Sequence, residues 1–536
     1  MSLTRREQIA LVLCAIIGFA SAAGLVFLII GRYTKAVPAR GGEHTEGIVG
    51  QPKAVNPILA SDDPDAALVR LLFANLSQLA EKIDPDHTGR TWNVRLKEGL
   101  VWSDGAKLTS DDVIFTVEKI QDPQSQSPSF ASWQGIIAHR VSELEVQFTL
   151  VAPYPFFSEY LKRLAIVPKH IFAETPVANW RLSDYLLKPV GSGPYLFASY
   201  DKKSNGFITR YRLTANPHSP EREPYLDAIT FAFFPNEKEL IDAVNAGSVD
   251  GFGTFSPELL PQVTRPYTLT EFTLPSYYAV FLNQSQNFAL KDGMVRTALD
   301  ASIDRPALVA RVLEAHGDAV YSPVALADTI PTPTGMQEAA MRALDTAGWK
   351  VGEGGVREKK IKGAAVRLEF TLTVPQVPFL TRTAEILRDT WYTIGAHVTL
   401  RILPPADIAS TAIRTRDYQA LLFGNVVNPP GDLYPFWDSQ ERFYPGLNLA
   451  LYASASADKL MEGIRRTADP SVRAKNLAAL RDIIHNDMPA VLLYSPHYLV
   501  LTRRDMKGVQ PALITEPADR FFDAPSWYVN TSRAVQ

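Results

Sequence analysis

The sequence predicts an α/β protein built in more than one lobe behind an apolar N-terminal span. Three observations carry this reading. The chain has 536 residues, more than one domain core usually encloses. Segments of period-two alternation, the mark of half-buried strands, trade places with segments of helical spacing, as β-α-β units do. Ile9–Gly31 holds no charged residue. At ~1.5 Å per residue it is long enough to cross a ~30 Å hydrocarbon core.

Hydrophobic content of 46% and charged content of 21% belong to a globular chain. The balance of 54 basic against 57 acidic residues, −3 overall, points away from nucleic acid as a partner. Cys14 is the single cysteine, so neither an intrachain disulfide nor a cysteine-based metal site is available.

The apolar run is flanked by Arg5, Arg6 and Arg32, which suits a membrane segment. Ala20-Ser21-Ala22 has the small residues of a cleavage site, yet the run continues to Ile30, past the roughly 7–15 apolar residues of a signal peptide. Residues 1–33 are therefore expected to be a short cytoplasmic stub and an uncleaved transmembrane anchor. Leu13 before Cys14 argues against lipidation, because a small residue is wanted there. Basic residues on both sides leave the orientation open. Residues 34–47, polar, with Pro38 and Gly41-Gly42, read as a linker reaching at most ~45–50 Å.

The folded region opens with a short strand at Ile48 and a helical pattern over Ala66–Leu79. In Thr91–Leu96, Trp92, Val94 and Leu96 share one face, a strand. Asp104-Gly105 is turn chemistry. Thr109 is placed as the N-cap of the next helix, with Asp112 three residues on as an acidic capping box. Glu143–Leu150 alternates as a strand, and Pro153–Leu164 reads as helix. Pro189–Phe197 is a glycine turn feeding a strand. Strands Gly206–Thr214 and Asp227–Phe234, helix Asn236–Ala246 closed by Gly247, and a strand from Val249 make a β-α-β run. Tyr277–Asn283 is an apolar strand, and Asp292–Asp304 and the segment from Arg305-Pro306 are helices. Glu338–Trp349 is a helix, and the charged stretch 351–362 a hairpin or loop. Strands Val366–Val374, His397–Ile402 and Tyr418–Phe423 alternate with helices Phe379–Ile394 and Ala406–Arg414, a second β-α-β series. Helices Ser454–Thr467 and Ser471–Asn486 follow, then a strand Ala490–Leu501 interrupted by Pro496.

No G-x-S-x-G, H-E-x-x-H or P-loop string occurs. Gly251-Phe252-Gly253 has Ser256 where a dinucleotide fingerprint wants a third glycine. The nine histidines include no pair three or four residues apart, so neither a metal nor a cofactor is expected. The richest candidate surface is Phe423–Trp437, F-G-N-V-V-N-P-P-G-D-L-Y-P-F-W. It follows a strand, and ligands of open α/β sheets sit beyond carboxyl strand ends.

Three segments closely resemble one family. They are Leu96–Thr116 (L-K-E-G-L-V-W-S-D-G-A-K-L-T-S-D-D-V-I-F-T), Pro189–Phe197 (P-V-G-S-G-P-Y-L-F) and Asp292–Asp304 (D-G-M-V-R-T-A-L-D-A-S-I-D). The family is the bacterial extracellular solute-binding proteins of the peptide/nickel type, family 5, the capture subunits of ABC importers. The likeness runs from Ile48 to about Asn530. It implies a two-lobed periplasmic-binding-protein-like fold of the large peptide-binding class. Lobe I would be 48–284 with 490–536, with a subdomain inserted at about 65–169. Lobe II would be 285–489, with a crossover near Asn283–Leu290. The resemblance further implies a binding protein rather than an enzyme, taking an oligopeptide or other small solute to ABC permease subunits from the extracytoplasmic side. A surface sensor or scaffold without transport, and a hydrolase, are the rival readings. Peptide-binding relatives carry an acidic residue in the loop after the strand, where it pairs with the ligand's ammonium. Here Asn425-Val426-Val427-Asn428 stand in that place and Asp432 lies further along. The candidate cleft residues are Gly50, Trp133, Asn283, Asn425, Asp432, Tyr434 and Trp437: polar groups to bond peptide units, aromatics to wall the site.

Overall fold

The computed structural model describes residues 34–324 and 336–535, with Arg5, 13–19 and Ser21. Residues 13–19 are helical, and the rest of the expected anchor lies almost wholly outside the described residues. Among the described residues no helix is long and apolar enough to cross a membrane.

Two large sheets organise the chain. The first has seven strands, in spatial order Tyr267–Phe272, Tyr498–Arg503, Gly251–Thr254, Glu43–Val49, Ala228–Phe234, Ile208–Ala215 and Tyr195–Lys202. Glu43–Val49 runs parallel to both of its neighbours. The return from Ala228–Phe234 to Gly251–Thr254 is made by helix Glu237–Ala246, capped by Asn236 and ended by left-handed Gly247. The second sheet has six strands, in order Gly317–Ala319, Ala490–Pro496, Ser276–Leu282, Ala420–Val426, Glu369–Pro375 and His397–Leu403. Its last three strands are parallel, with Pro378–Thr393 as a crossover helix. Each sheet has its own apolar core.

A four-stranded antiparallel sheet, in order Ala80–Pro85, Thr91–Leu96, Glu145–Thr149 and Ile137–Ser142, forms the inserted subdomain. Helix Ser110–Ile120 packs on it. Its capping box is formed: Thr109 N donates to Asp112 Oδ2 (2.9 Å), and the Thr109 hydroxyl accepts from the first turn. The other oxygen of Asp112 accepts from Lys169 N (2.9 Å), which ties the helix to the segment leaving the subdomain. The glycines of Pro189–Phe197 serve a close approach. Ser192 N and Gly193 N both donate to Leu72 O, and a Cβ on Gly191 or Gly193 would lie 2.1 or 2.3 Å from a carbonyl oxygen of the helix end at Leu71–Leu72.

Several expectations are corrected. Residues 34–47 are not a free linker. Thr34–Ala39 pairs antiparallel with Asn530–Val535, and Glu43–Val49 is an inner strand of the first sheet. The stretch looks polar because its inward side chains are ionisable. His44 and Glu46 are fully buried, 2.9 Å apart, and Arg520 donates to Glu46 (2.7 Å). The lobe boundaries also move. Ser276–Leu282 sits inside the second sheet, bonded on both sides, so the chain crosses over at 272–276 rather than near 283–290. The return falls at Pro496–Tyr498, and Ala490–Leu501 is two strands in two different sheets. Proline has no N–H to continue the ladder. The helix expected over 66–79 is two, Asp63–Leu72 and Leu76–Leu79, because Asn75 caps the second. The 153–164 helix shrinks to Phe157–Arg163, and 406–414 becomes a short helix running into a π-turn at Ile408–Ile413.

Candidate functional site

The stretch from Val427 to Tyr434 leaves the carboxyl end of strand Ala420–Val426 and turns towards the first lobe. Three cavities meet on it. One of about 130 Å³ lies between Trp133, Tyr160 and Arg163 of the subdomain and Asn428-Pro429 of the second lobe. One of about 400 Å³ lies between Gln78, Glu159, Arg163 and Asp519 of the first lobe and Asn428 and Pro430 of the second. One of about 630 Å³ lies where the chain crosses between sheets, lined by Leu274, Tyr277, Tyr321, Val427 and Leu433. The larger two have the size of small-ligand sites.

The cleft wall on the first lobe is charged and internally matched. Asp519 is buried and accepts from Arg70 (2.6 Å) and Arg163 (2.7 Å), as well as from Thr515 N (2.9 Å). Burial opposes its ionisation, but the two guanidiniums win and hold its carboxyl below the usual range. Glu159, one turn before Arg163, faces both the small and the middle cavity, with Lys162 2.7 Å away in an exposed pair.

Asp432 sits where the lobes touch. Its carboxylate is 3% exposed, accepts from the Tyr154 hydroxyl (2.7 Å) and lies 3.3 Å from Arg465. Arg465 stacks over Tyr434 (4.6 Å) and Tyr154 (5.3 Å). Burial pushes the Asp432 carboxyl above its usual value, and Arg465 and Tyr154 offset only part of that rise. The neighbouring Phe156 packs on the second lobe, under Arg473. The segment 154–156 of the subdomain thus clasps the second lobe at the cleft rim.

This layout, two lobes joined by two crossings with cavities lined from both, also fits the comparisons with known proteins. A family model described as "Bacterial extracellular solute-binding proteins, family 5 Middle" matches residues 76–443. The chain belongs to this family. It is 26% identical over 517 residues to the oligopeptide-binding protein AppA of Bacillus subtilis, covering 92% of both chains. It is 28% identical over 479 residues to protein XP55 of Streptomyces lividans, covering 86% of this chain and 83% of that one. The solved structure of AppA in complex with a nonapeptide superposes with a TM-score of 0.70, at 25% identity, over 92% of this chain and all of that one. AppA is named as an oligopeptide-binding protein, and the family is one of solute-binding proteins.

Within the family frame, the expected residues fall in five places. Asp432 and Tyr434 meet at Arg465 on the cleft rim. Trp133 lines the small cavity but is 4% exposed, held among Phe148, Phe157 and Tyr160. Asn425 and Trp437 come together underneath, both donating to the Tyr277 hydroxyl (3.1 and 2.8 Å). Tyr277, near one end of its strand, also lines the cavity of about 630 Å³. Asn283 lies just past the other end of the same strand, ~20 Å away by strand rise. It is fully buried, donates to Arg416 O (3.2 Å) and accepts from Ser285 (2.6 Å). Gly50, at φ +106°, ends an inner strand of the first sheet, with its N–H on Phe234 O (2.8 Å). Sequence reasoning missed Tyr154, Glu159, Arg163, Asn428, Arg465 and Asp519. Only Asn428 was within the loop it singled out, and the others are ordinary surface types until the fold assembles them.

Proposed function

We propose that the chain is a membrane-tethered, extracytoplasmic solute-binding protein that takes an oligopeptide into the gap around Asn428–Leu433 and hands it to an ABC importer. The observation that carries this reading is the pair of cavities, of about 130 and 400 Å³, walled by both lobes. A solute seated there touches both lobes only when they approach, so binding shifts the population towards closure. The likeness to AppA, a protein solved with a nonapeptide, favours a peptide as the solute. Peptide units would be met by the amide and hydroxyl groups of Asn75, Gln78, Asn428 and Thr515 around the middle cavity, with room for bridging water. Asp432 acts in this reading as a lobe-to-lobe contact, since Arg465 and Tyr154 already match its charge. The apolar run Ile9–Gly31 supports the tether, and the outward placement of the lobes rests on the family.

Native mass spectrometry of the protein purified without refolding tests the proposal. A population heavier by the mass of short peptides, lost on mild unfolding and returned by a peptide pool, is expected. A single unliganded mass that no peptide pool shifts would count against it.

A further inference from the structure

Among the described residues, two connections carry the chain between the lobes, and one cluster of titratable groups touches both. Glu271 is the next-to-last residue of strand Tyr267–Phe272, the edge of the first sheet just ahead of the first crossing. His497 is the residue between strands Ala490–Pro496 and Tyr498–Arg503, the second crossing itself. Its Nδ1 lies 2.6 Å from Glu271 Oε2. Its Nε2 lies 2.9 Å from Asp318 Oδ2, on the edge strand Gly317–Ala319 of the second sheet. His316, on the loop before that strand, places Nδ1 3.0 Å from the other oxygen of Glu271, and its carbonyl accepts from His497 N (3.1 Å).

A neutral imidazole has one N–H, an imidazolium two. His497 has a carboxylate at each ring nitrogen, one from each lobe, so both contacts are hydrogen bonds only when the ring is protonated. We propose that Glu271, His497 and Asp318 form a proton-controlled hinge lock: protonated His497 ties the two sheet edges in the arrangement in which Tyr154 meets Asp432, and loss of the proton frees one side and lets the lobes swing. The groups facing His497 are Glu271 from the first lobe, Asp318 from the second, and His316 beyond Glu271.

The electrostatics agree in sign. Burial alone would lower His497, but Asp318 and Glu271 outweigh it and raise the ring above its ordinary value. Burial likewise opposes the ionisation of Glu271, and the two histidines hold it below its ordinary value. A raised histidine contributes fully below its unfolded pKa, and the contribution is lost as pH rises through the folded one. A depressed carboxylate contributes above its unfolded pKa, and the contribution is lost as pH falls through the folded one. The lock therefore holds from mild acid to neutrality and loosens on the alkaline side. Asp318 is 66% exposed, so water screens that arm and it is the side that releases.

The test needs no knowledge of the solute. The full-length chain carrying Cys14→Ser, Lys203→Cys and Arg388→Cys takes one spin label on each lobe, and the inter-label distance is followed from about pH 6 to about pH 9, spanning the histidine range. The longer-distance population is expected to grow as pH rises. It should become independent of pH in His497→Gln, which cannot titrate. Asp318→Asn, which leaves the ring titratable but removes one carboxylate, should move the midpoint to lower pH. A distribution that does not respond to pH, a response that survives His497→Gln, or a midpoint unmoved by Asp318→Asn would each overturn the proposal.

Discussion

Replacing Arg305 with alanine is expected to destabilise the second lobe by about 3–5 kcal/mol, the loss typical of stranding one partner of a buried ion pair. Arg305 opens helix Arg305–Val312 and is 1% exposed. It donates to Leu492 O (2.8 Å) on the second sheet's Ala490–Pro496 strand and pairs with Asp300 on the preceding helix. One guanidinium therefore fixes two helices to the strand that leads into the hinge. Without it Asp300 is an unpaired buried carboxylate. Burial already pushes that carboxyl up, and Arg305 is the group that most counters it. In Arg305→Ala the native Asp300 binds its proton more tightly than the unfolded chain does. The deficit should shrink as pH falls and widen as pH rises. Urea unfolding at several pH values checks this. Pairing the change with Asp300→Leu should recover much of the loss, because the pair's desolvation then disappears together with its attraction. A loss below ~1 kcal/mol, the range of a surface pair, would show that the pair is not an anchor.

Trp437→Ala should cost about 3–5 kcal/mol as well, through the void it leaves. The indole is fully buried beside Phe281 and Tyr452, and its Nε1 donates to Tyr277. Trp437→Phe keeps most of the volume and loses the hydrogen bond, at about 0.5–1.5 kcal/mol. The pair of variants separates support from contact. Support predicts that the phenylalanine variant binds solute almost as the parent does, while the alanine variant loses stability and binding together as Val427–Tyr434 shifts. A phenylalanine variant of unchanged stability that no longer binds would make Trp437 a ligand contact.

Elements that bury one face, such as strand Thr91–Leu96, were legible because that leaves a period in the sequence, and inner strands buried on both faces, such as Ala228–Phe234 and Ala490–Pro496, stood out as apolar runs. Thr109 and Asp112 announced a helix start that the structure builds as read. The Gly191 and Gly193 motif was recognisable, but its reason, contact with the end of a helix more than a hundred residues earlier, was not. Where the sequence misled, charge was buried. His44 and Glu46 make an inner strand look like a linker because Arg520, which pairs with Glu46, lies at the other end of the chain. The crossings were misplaced for a related reason, since nothing in Tyr277–Asn283 says which of two sheets it joins. The loop was found, but its Asp432 could not be seen as matched, because Tyr154 and Arg465 approach it from distant parts of the chain.

The central claim is that a solute is gripped by both lobes at the Asn428–Leu433 loop. Hydrogen–deuterium exchange of the full-length protein, with and without a mixed peptide pool, tests it most directly. Slowed exchange is expected together at 428–433 in the second lobe and at 159–163 and 515–519 in the first. Slowing in one lobe alone, or in neither of these stretches, would contradict it.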